Sequence, residues 1–275
     1  MGHGRPLALI TLLCVTLPTA VLGAPCAGVC NVADGNSQIA VDPESQNGFD
    51  TWIVDGVSHL FQEWFWLSIT GAGQNSLDSF TLNSSDQTGD TITLNYAGRD
   101  LSIDAIYQVS GGANGSGTAT VTETLRINNT NFSTAVDVGL FAYTDLDIND
   151  ASEGQDAASL GPGQIEQTAG LTSVVVTSSV GPDSFDLVEF STLRGDLNAD
   201  NLAILGNTAL LEDGDVTFAF FYDLSLGIDE SIMLQWTKAL SGGDVLVPIP
   251  AGMWLFGSGV GAIALARRRV RSRLG

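Results

Sequence analysis

Apolar side chains recur at every second position through most of this sequence. That period limits the fold more than any other feature, because it is how a strand with one buried and one exposed face reads. Leu101, Ile103, Ala105, Tyr107 and Val109 alternate with mostly polar neighbours, as do Val216, Phe218, Phe220, Tyr222 and Leu224. Residues 91–96, 117–127, 135–143, 171–178 and 231–238 follow the same pattern. The breaks Gly111-Gly112-Ala113-Asn114-Gly115, Gly161-Pro162-Gly163 and Gly181-Pro182-Asp183 predict turns. About ten such strands without a long helical period predict one all-β domain over residues 24–244, a single β-sandwich with a jelly-roll-like arrangement as its named variant. One short helix is expected at residues 200–205. Residues 34–47 read as the least structured stretch, and Ser241-Gly242-Gly243 as a joint.

The run Leu60-Phe61-Gln62-Glu63-Trp64-Phe65-Trp66-Leu67 departs from the alternation, with large residues at consecutive positions. It predicts a strand buried on both faces; a carbohydrate-stacking platform is the alternative use of such rings.

Both termini read as addresses. Residues 1–23 have a short polar start with His3 and Arg5, an apolar stretch from Leu7 to Val15, Pro18 and then small residues. This is the layout of a secretory signal peptide, cut after Gly23 by signal peptidase once the Sec machinery has exported the chain. Residues 245–275 begin with Val247-Pro248-Ile249-Pro250-Ala251, continue without a charge to Ala266, and end in a basic tail that opens with Arg267, Arg268 and Arg269. Prolines are tolerated only in the first turn of a helix, so a transmembrane helix is expected over about residues 251–266, roughly 24 Å long. The arginines would stay on the cytoplasmic side.

Motif, apolar helix and basic tail together resemble a PEP-CTERM sorting signal, closest to the variant that reads Val-Pro-Leu-Pro-Ala. The resemblance covers about 30 residues and is carried by Val247, Pro248, Ile249, Pro250, Ala251, Arg267, Arg268 and Arg269. It implies recognition by an exosortase, an integral-membrane cysteine transpeptidase, which removes the tail. The product would pass from the inner membrane to the cell-envelope surface or an exopolysaccharide matrix. Ile249 stands where many members of the family have Glu, which leaves the exosortase subtype open.

Of the ten basic residues, six lie in the terminal segments. The body keeps Arg99, Arg126, Arg194 and Lys238 against all 31 acidic residues, a net charge of −27. Such a body repels phosphate and anionic lipid, which excludes a nucleic-acid partner.

Chemistry-bearing residues are few. Cys14 lies in the leader, leaving Cys26 and Cys30, a close pair that reads as a disulfide in an oxidising compartment, with free or intermolecular thiols as the alternative. His59 is the one histidine after the leader, beside no recognisable nucleophile elbow, so a Ser-His-Asp mechanism finds no support. With 31 acids, a glycosidase pair cannot be chosen by inspection. Asp145, Asp147, Asn149 and Asp150 place side-chain oxygens along one loop, with Glu153 and Asp156 nearby, and are the candidate calcium ligands. The EF-hand pattern is incomplete there, because Asp150 stands where glycine is required. A weaker group is Asp196, Asn198 and Asp200.

These readings lead to an exported surface or matrix protein, non-enzymatic, acting as a structural or adhesive envelope component. The alternatives are a calcium- or carbohydrate-binding module and, behind it, an envelope polysaccharide hydrolase. No catalytic residue and no cofactor other than calcium is named by the sequence.

Overall fold

The computed structural model describes residues 23–242 except Gly71, residues 151–155, Pro162, Ser191 and residues 200–202; for residues 156, 160, 161 and 211–213 it describes the backbone alone. The expected leader up to residue 22, Glu153, and the expected sorting motif, helix and basic tail lie outside the described residues. No helix among the described residues is long and apolar enough to cross a membrane.

Two large sheets face each other. The ten-stranded sheet runs in spatial order Ala24–Pro25, Thr81–Thr88, Thr91–Gly98, Leu101–Gly111, Thr118–Asn129, Ser231–Ser241, Thr172–Ser178, Gln164–Ala169, Asp156–Gly161, Leu210–Gly214. The nine-stranded sheet runs Ser184–Glu189, Val216–Leu226, Val136–Asp145, Gln62–Ile69, Gly48–Val54, Ser37–Asp42, Cys30–Asp34, with the short Val57–Ser58 and Asn75–Ser76 paired at its side. Pairing is antiparallel except where Gly48–Val54 meets Gln62–Ile69. Chain neighbours form long meanders, such as Thr81–Thr88 through Thr118–Asn129, and this is not the paired Greek-key path of a jelly roll.

The alternation does its expected work in the ten-stranded sheet. Leu101, Ile103, Ala105, Tyr107 and Val109 are all buried on one face of their strand, and Leu234, Trp236, Lys238 and Leu240 on one face of theirs. Gln62–Ile69 is a strand buried on both faces. Glu63 and Phe65 meet Lys238 and Trp236 of the other sheet. On the opposite face, the Trp66 indole N–H donates to Asn198 Oδ1 at 3.2 Å. The chain around Asn198 is tied down by Gln74, whose Nε2 donates to the carbonyls of Asp196 and Leu197 and whose Oε1 accepts from the Ala203 N–H.

Two expectations fail here. Residues 34–47 are not the least structured part, since Ser37–Asp42 pairs on both sides, with Cys30–Asp34 and with Gly48–Val54. Its polar start is misleading: Ser37 is buried and its Oγ accepts the Trp52 indole N–H at 3.1 Å. A helix lies at Thr192–Leu197, where Leu193 and Leu197, one turn apart, are buried; of the expected helix at residues 200–205, residues 200–202 lie outside the described residues and 203–205 are not helical. Cys26 and Cys30 are joined by a disulfide with a Cα–Cα distance of 5.2 Å. Cys30 is fully buried, so the bond ties the first described residues to the core.

Gly48 sits at φ +56°, where its missing side chain leaves room for the Trp64 indole; a Cβ there would overlap the ring and lie 2.6 Å from the Glu63 carbonyl oxygen. Gly48→Ala therefore meets both the left-handed backbone and a packed aromatic. It is expected to cost about 2 to 5 kcal/mol in urea unfolding, and a loss under about 1 kcal/mol would refute this packing. His59 is 4% exposed, its Nδ1 accepting the Asn149 N–H at 3.2 Å. Burial pulls its pKa down to about 4. The unfolded chain then takes up a proton near pH 6.5 that the folded chain refuses, so stability falls as pH drops from about 6.5 to 4, by up to about 3 kcal/mol. His59→Asn supplies an amide oxygen for Asn149 and no titration. The stability difference between wild type and variant is expected to move against wild type over that range, and a flat difference would contradict neutral burial.

Candidate functional site

Four adjacent strands of the nine-stranded sheet end or begin at one place. Asp145, the last residue of Val136–Asp145, is in register with Thr217 on one side and with Gln62 on the other. Asp215 immediately precedes Val216–Leu226, and Phe190 follows Ser184–Glu189, whose Glu189 pairs with Val216. Backbone hydrogen bonds extend the ladder past the strand ends, from Phe61 N–H to the Asp145 carbonyl at 3.0 Å and from Phe190 N–H to the Asp215 carbonyl at 2.8 Å. The ladder thus delivers two phenyl rings and three carboxylates to one end of the sheet.

They line a cavity of about 110 Å³ formed by Phe61, Asp145, Asp147, Phe190 and Asp215. One oxygen from each of Asp145, Asp147 and Asp215 lies within 4.8 Å of the others. Asp145 is 1% exposed, and Asp147 and Asp215 are half-buried. Phe61 and Phe190 pack edge to face, their centroids 5.6 Å apart, with Phe61 still 48% exposed. Asp145 Oδ2 accepts from the Tyr143 hydroxyl at 3.3 Å, whereas Oδ1 has no hydrogen-bond partner. Burial, and then the charges of Asp215 and Asp147, push the Asp145 carboxyl up to about 8; Tyr143 and, more weakly, Arg194 oppose the rise. Grouped hard oxygen donors with one orphaned member are what a divalent cation such as calcium binds.

The structure brings two of the four candidate calcium ligands into this cluster. Asp145 and Asp147 belong to the cluster, but Asn149 and Asp150 do not. Ile148 is fully buried, and Asn149 and Asp150 both adopt left-handed backbone, with φ of 65° and 57°, so the chain turns away after Asp147. The Asn149 amide instead donates to the Ala169 carbonyl at 3.2 Å. Asp215 and Phe190 were missed, whereas Phe61 belongs to the aromatic run for which stacking was the alternative use. The acidic run before the predicted strand at Val216 was visible; its alignment with Asp145 was not. Of the weaker group, Asn198 gives its oxygen to Trp66, Asp196 is exposed, and Asp200 lies outside the described residues.

A wider depression of about 500 Å³ is lined by Asn36, Gln38, Ile53 and Asp55 among others. Asp55 there accepts hydrogen bonds from the N–H groups of Gly115 and Gly117 and from the Asn36 amide, which fixes a turn and leaves little for a ligand.

No protein-family model and no curated protein matches the chain. Among solved structures, it is similar to a bacterial glucoamylase complexed with acarbose, with a TM-score of 0.58 at 8% identity over 84% of this chain; it spans 34% of that chain's length. Weaker likenesses are to a polysaccharide lyase, with a TM-score of 0.49 at 10% identity over 76% of this chain and 32% of the lyase, and to a protein assigned as an aldose 1-epimerase from Escherichia coli K12, with a TM-score of 0.48 at 10% identity over 78% of this chain and all of the other. At these identities the likeness to the glucoamylase is one of fold. It nevertheless corrects the expectation of a non-enzyme. The lack of a serine–histidine constellation argued for an inert protein, yet the two-sheet architecture found here also occurs within a carbohydrate enzyme, and its carboxylates converge on a cavity.

Proposed function

We propose that this chain is an exported, carbohydrate-active β-sandwich protein, and that Asp145, Asp147 and Asp215 hold a divalent cation where glycan is engaged. The observation that carries the cation is the buried Asp145 carboxylate, which lies beside two further carboxylates and whose Oδ1 has no hydrogen-bond partner. Calcium is the cation of choice because the ligands are carboxylate oxygens, because the set is three-sided and leaves coordination positions open, and because calcium is abundant outside the cytoplasm. The likeness in fold to a glucoamylase chain and the half-exposed Phe61 beside the carboxylates support the carbohydrate reading. Its route, on this reading, runs through the leader, the inner membrane and an exosortase acting at Pro248 and Pro250, to the surface or an exopolysaccharide matrix. The disulfide and the acidic body suit that destination.

Open, partly hydrated extracellular calcium sites have dissociation constants of roughly 0.1 to 1 mM. Calorimetric titration is expected to show one site in this range. At roughly 10 mM calcium, linkage should then stabilise the fold by about 1.4 to 2.7 kcal/mol, seen as a rise in melting temperature. Asp215→Asn is expected to remove both effects, and neither heat nor a melting shift in wild type would overturn the cation assignment. A second reading is favoured by the raised Asp145: a protonated carboxyl beside two carboxylates can serve as the proton donor of a glycosidase. Release of reducing ends that persists in chelator and is lost in Asp145→Asn would favour that reading over the cation.

Export is tested by the intact mass of the protein from membrane, periplasmic and secreted fractions. Wild type should lose everything beyond about Pro250, and the variant with Pro248→Ala and Pro250→Ala should keep its tail. A full-length C-terminus in every wild-type fraction would count against the sorting route.

A further inference from the structure

Size and exposure at the acidic pocket say how a sugar would meet it. A volume of about 110 Å³ holds an ion and two or three waters, at about 30 Å³ each. It is well below the 300 Å³ or so at which pockets begin to enclose a small organic ligand. A pyranose ring cannot enter, although individual hydroxyl oxygens can. Three carboxylates binding through one oxygen each supply three of the six to eight oxygens that calcium takes, so about half the shell must come from water or ligand. The lining includes Phe61, 48% exposed and packed edge to face with Phe190, with its backbone held by the Asp145 carbonyl. An exposed phenyl held this firmly is a flat apolar surface beside a polar pocket, and a pyranose has a matching pair of surfaces, an apolar C–H face and a rim of hydroxyls.

Charge narrows the class. The body carries a net −27, and three carboxylates around one divalent cation leave the filled site without positive charge. A uronate or sulfated sugar would therefore meet repulsion, whereas a neutral sugar meets none.

Resting on the cation reading above, we infer that the filled pocket is a subsite for a neutral pyranoside, whose adjacent hydroxyls complete the cation's coordination at the mouth while its C–H face lies against Phe61. Asp145, Asp147 and Asp215 hold the ion, Phe61 sets the plane of the ring, and Phe190 keeps Phe61 in place. The ring stays outside the cavity, so an internal residue of a longer glycan is accepted as readily as a chain end.

The test uses the exported chain with methyl glycosides of D-glucose, D-galactose and D-mannose as probes, and D-glucuronate as the charged comparison. Binding is followed by ligand-observed NMR and calorimetry in calcium and in EDTA. At least one neutral glycoside is expected to bind in calcium, to lose at least tenfold in affinity in EDTA, and to exceed glucuronate. Phe61→Ala should weaken glycoside binding at least tenfold and leave calcium affinity within twofold, while Phe61→Trp, which keeps a stacking face, should restore the sugar. Calcium binding without glycoside binding, glycoside binding indifferent to EDTA or to Phe61→Ala, or preference for glucuronate would each overturn this inference and leave the cation assignment standing. Absence of calcium binding would overturn both.

Discussion

A lysine between two glutamates joins the sheets, and the registration of the sandwich depends on it. Lys238, one of only four basic residues in the body, is 1% exposed. Its Nζ donates to Glu123 Oε1 at 2.5 Å within its own sheet and forms an ion pair with Glu63 of the opposite sheet. Glu63 is further held by the Thr144 hydroxyl at 3.1 Å. Burial, and then the Glu63 charge, push the Glu123 carboxyl well above its usual range; burial pulls the Lys238 ammonium down, but the charges of the two glutamates outweigh it and hold its pKa above the usual lysine value. Removing Lys238 or Glu63 breaks the ion pair between the sheets and strands a charge in the core, which costs about 3 to 5 kcal/mol in comparable cases. Because side chains alternate in a strand, a slip of one residue in either sheet would turn Lys238 or Glu63 outward and leave its partner unpaired.

That junction has an apolar counterpart two residues along each strand, where Phe65 packs on Trp236 at 5.4 Å between centroids. Trp236 in turn donates to the Tyr222 hydroxyl at 2.9 Å. The centre of Gln62–Ile69 is therefore fixed by charge and by packing. The other face of this strand is covered as well, by the chain around Asn198. A strand enclosed on both faces can offer chemistry only at its ends. The pocket lies at such an end, where the ladder stops being a sheet and still holds each side chain in place.

Local pattern was legible in the sequence and pairing was not. The strands from residue 91 to 129 could be read because each buries one face, as Leu101 to Val109 do. Ser37–Asp42 escaped because burial of Ser37 depends on Trp52, which belongs to another strand. The same distinction divides the site. Asp145 and Asp147 alternate within one segment and could be found by inspection, whereas Asp215 becomes their neighbour only through the register that sets Asp145 opposite Thr217. Asn149 and Asp150 looked like ligands because composition carries no sign of backbone hand; their left-handed conformation sends them elsewhere.

The two groups of buried carboxylates answer the same difficulty in different ways. In the core, Glu63 and Glu123 are paired with Lys238, a cation supplied by the chain itself, although Glu123 Oε2 has no hydrogen-bond partner. At the pocket, burial and mutual repulsion act on Asp145 while the charge of Arg194 opposes them only weakly. An acidic body at −27 raises that repulsion further, since every distant carboxylate adds to it. A fold locked by its core can sustain such a cluster, and the energy stored there is what an entering cation would recover. On the proposed reading, selection for a doubly charged ion would follow from the number of carboxylates gathered, and selection for a neutral sugar from the charge that remains once the ion is in place.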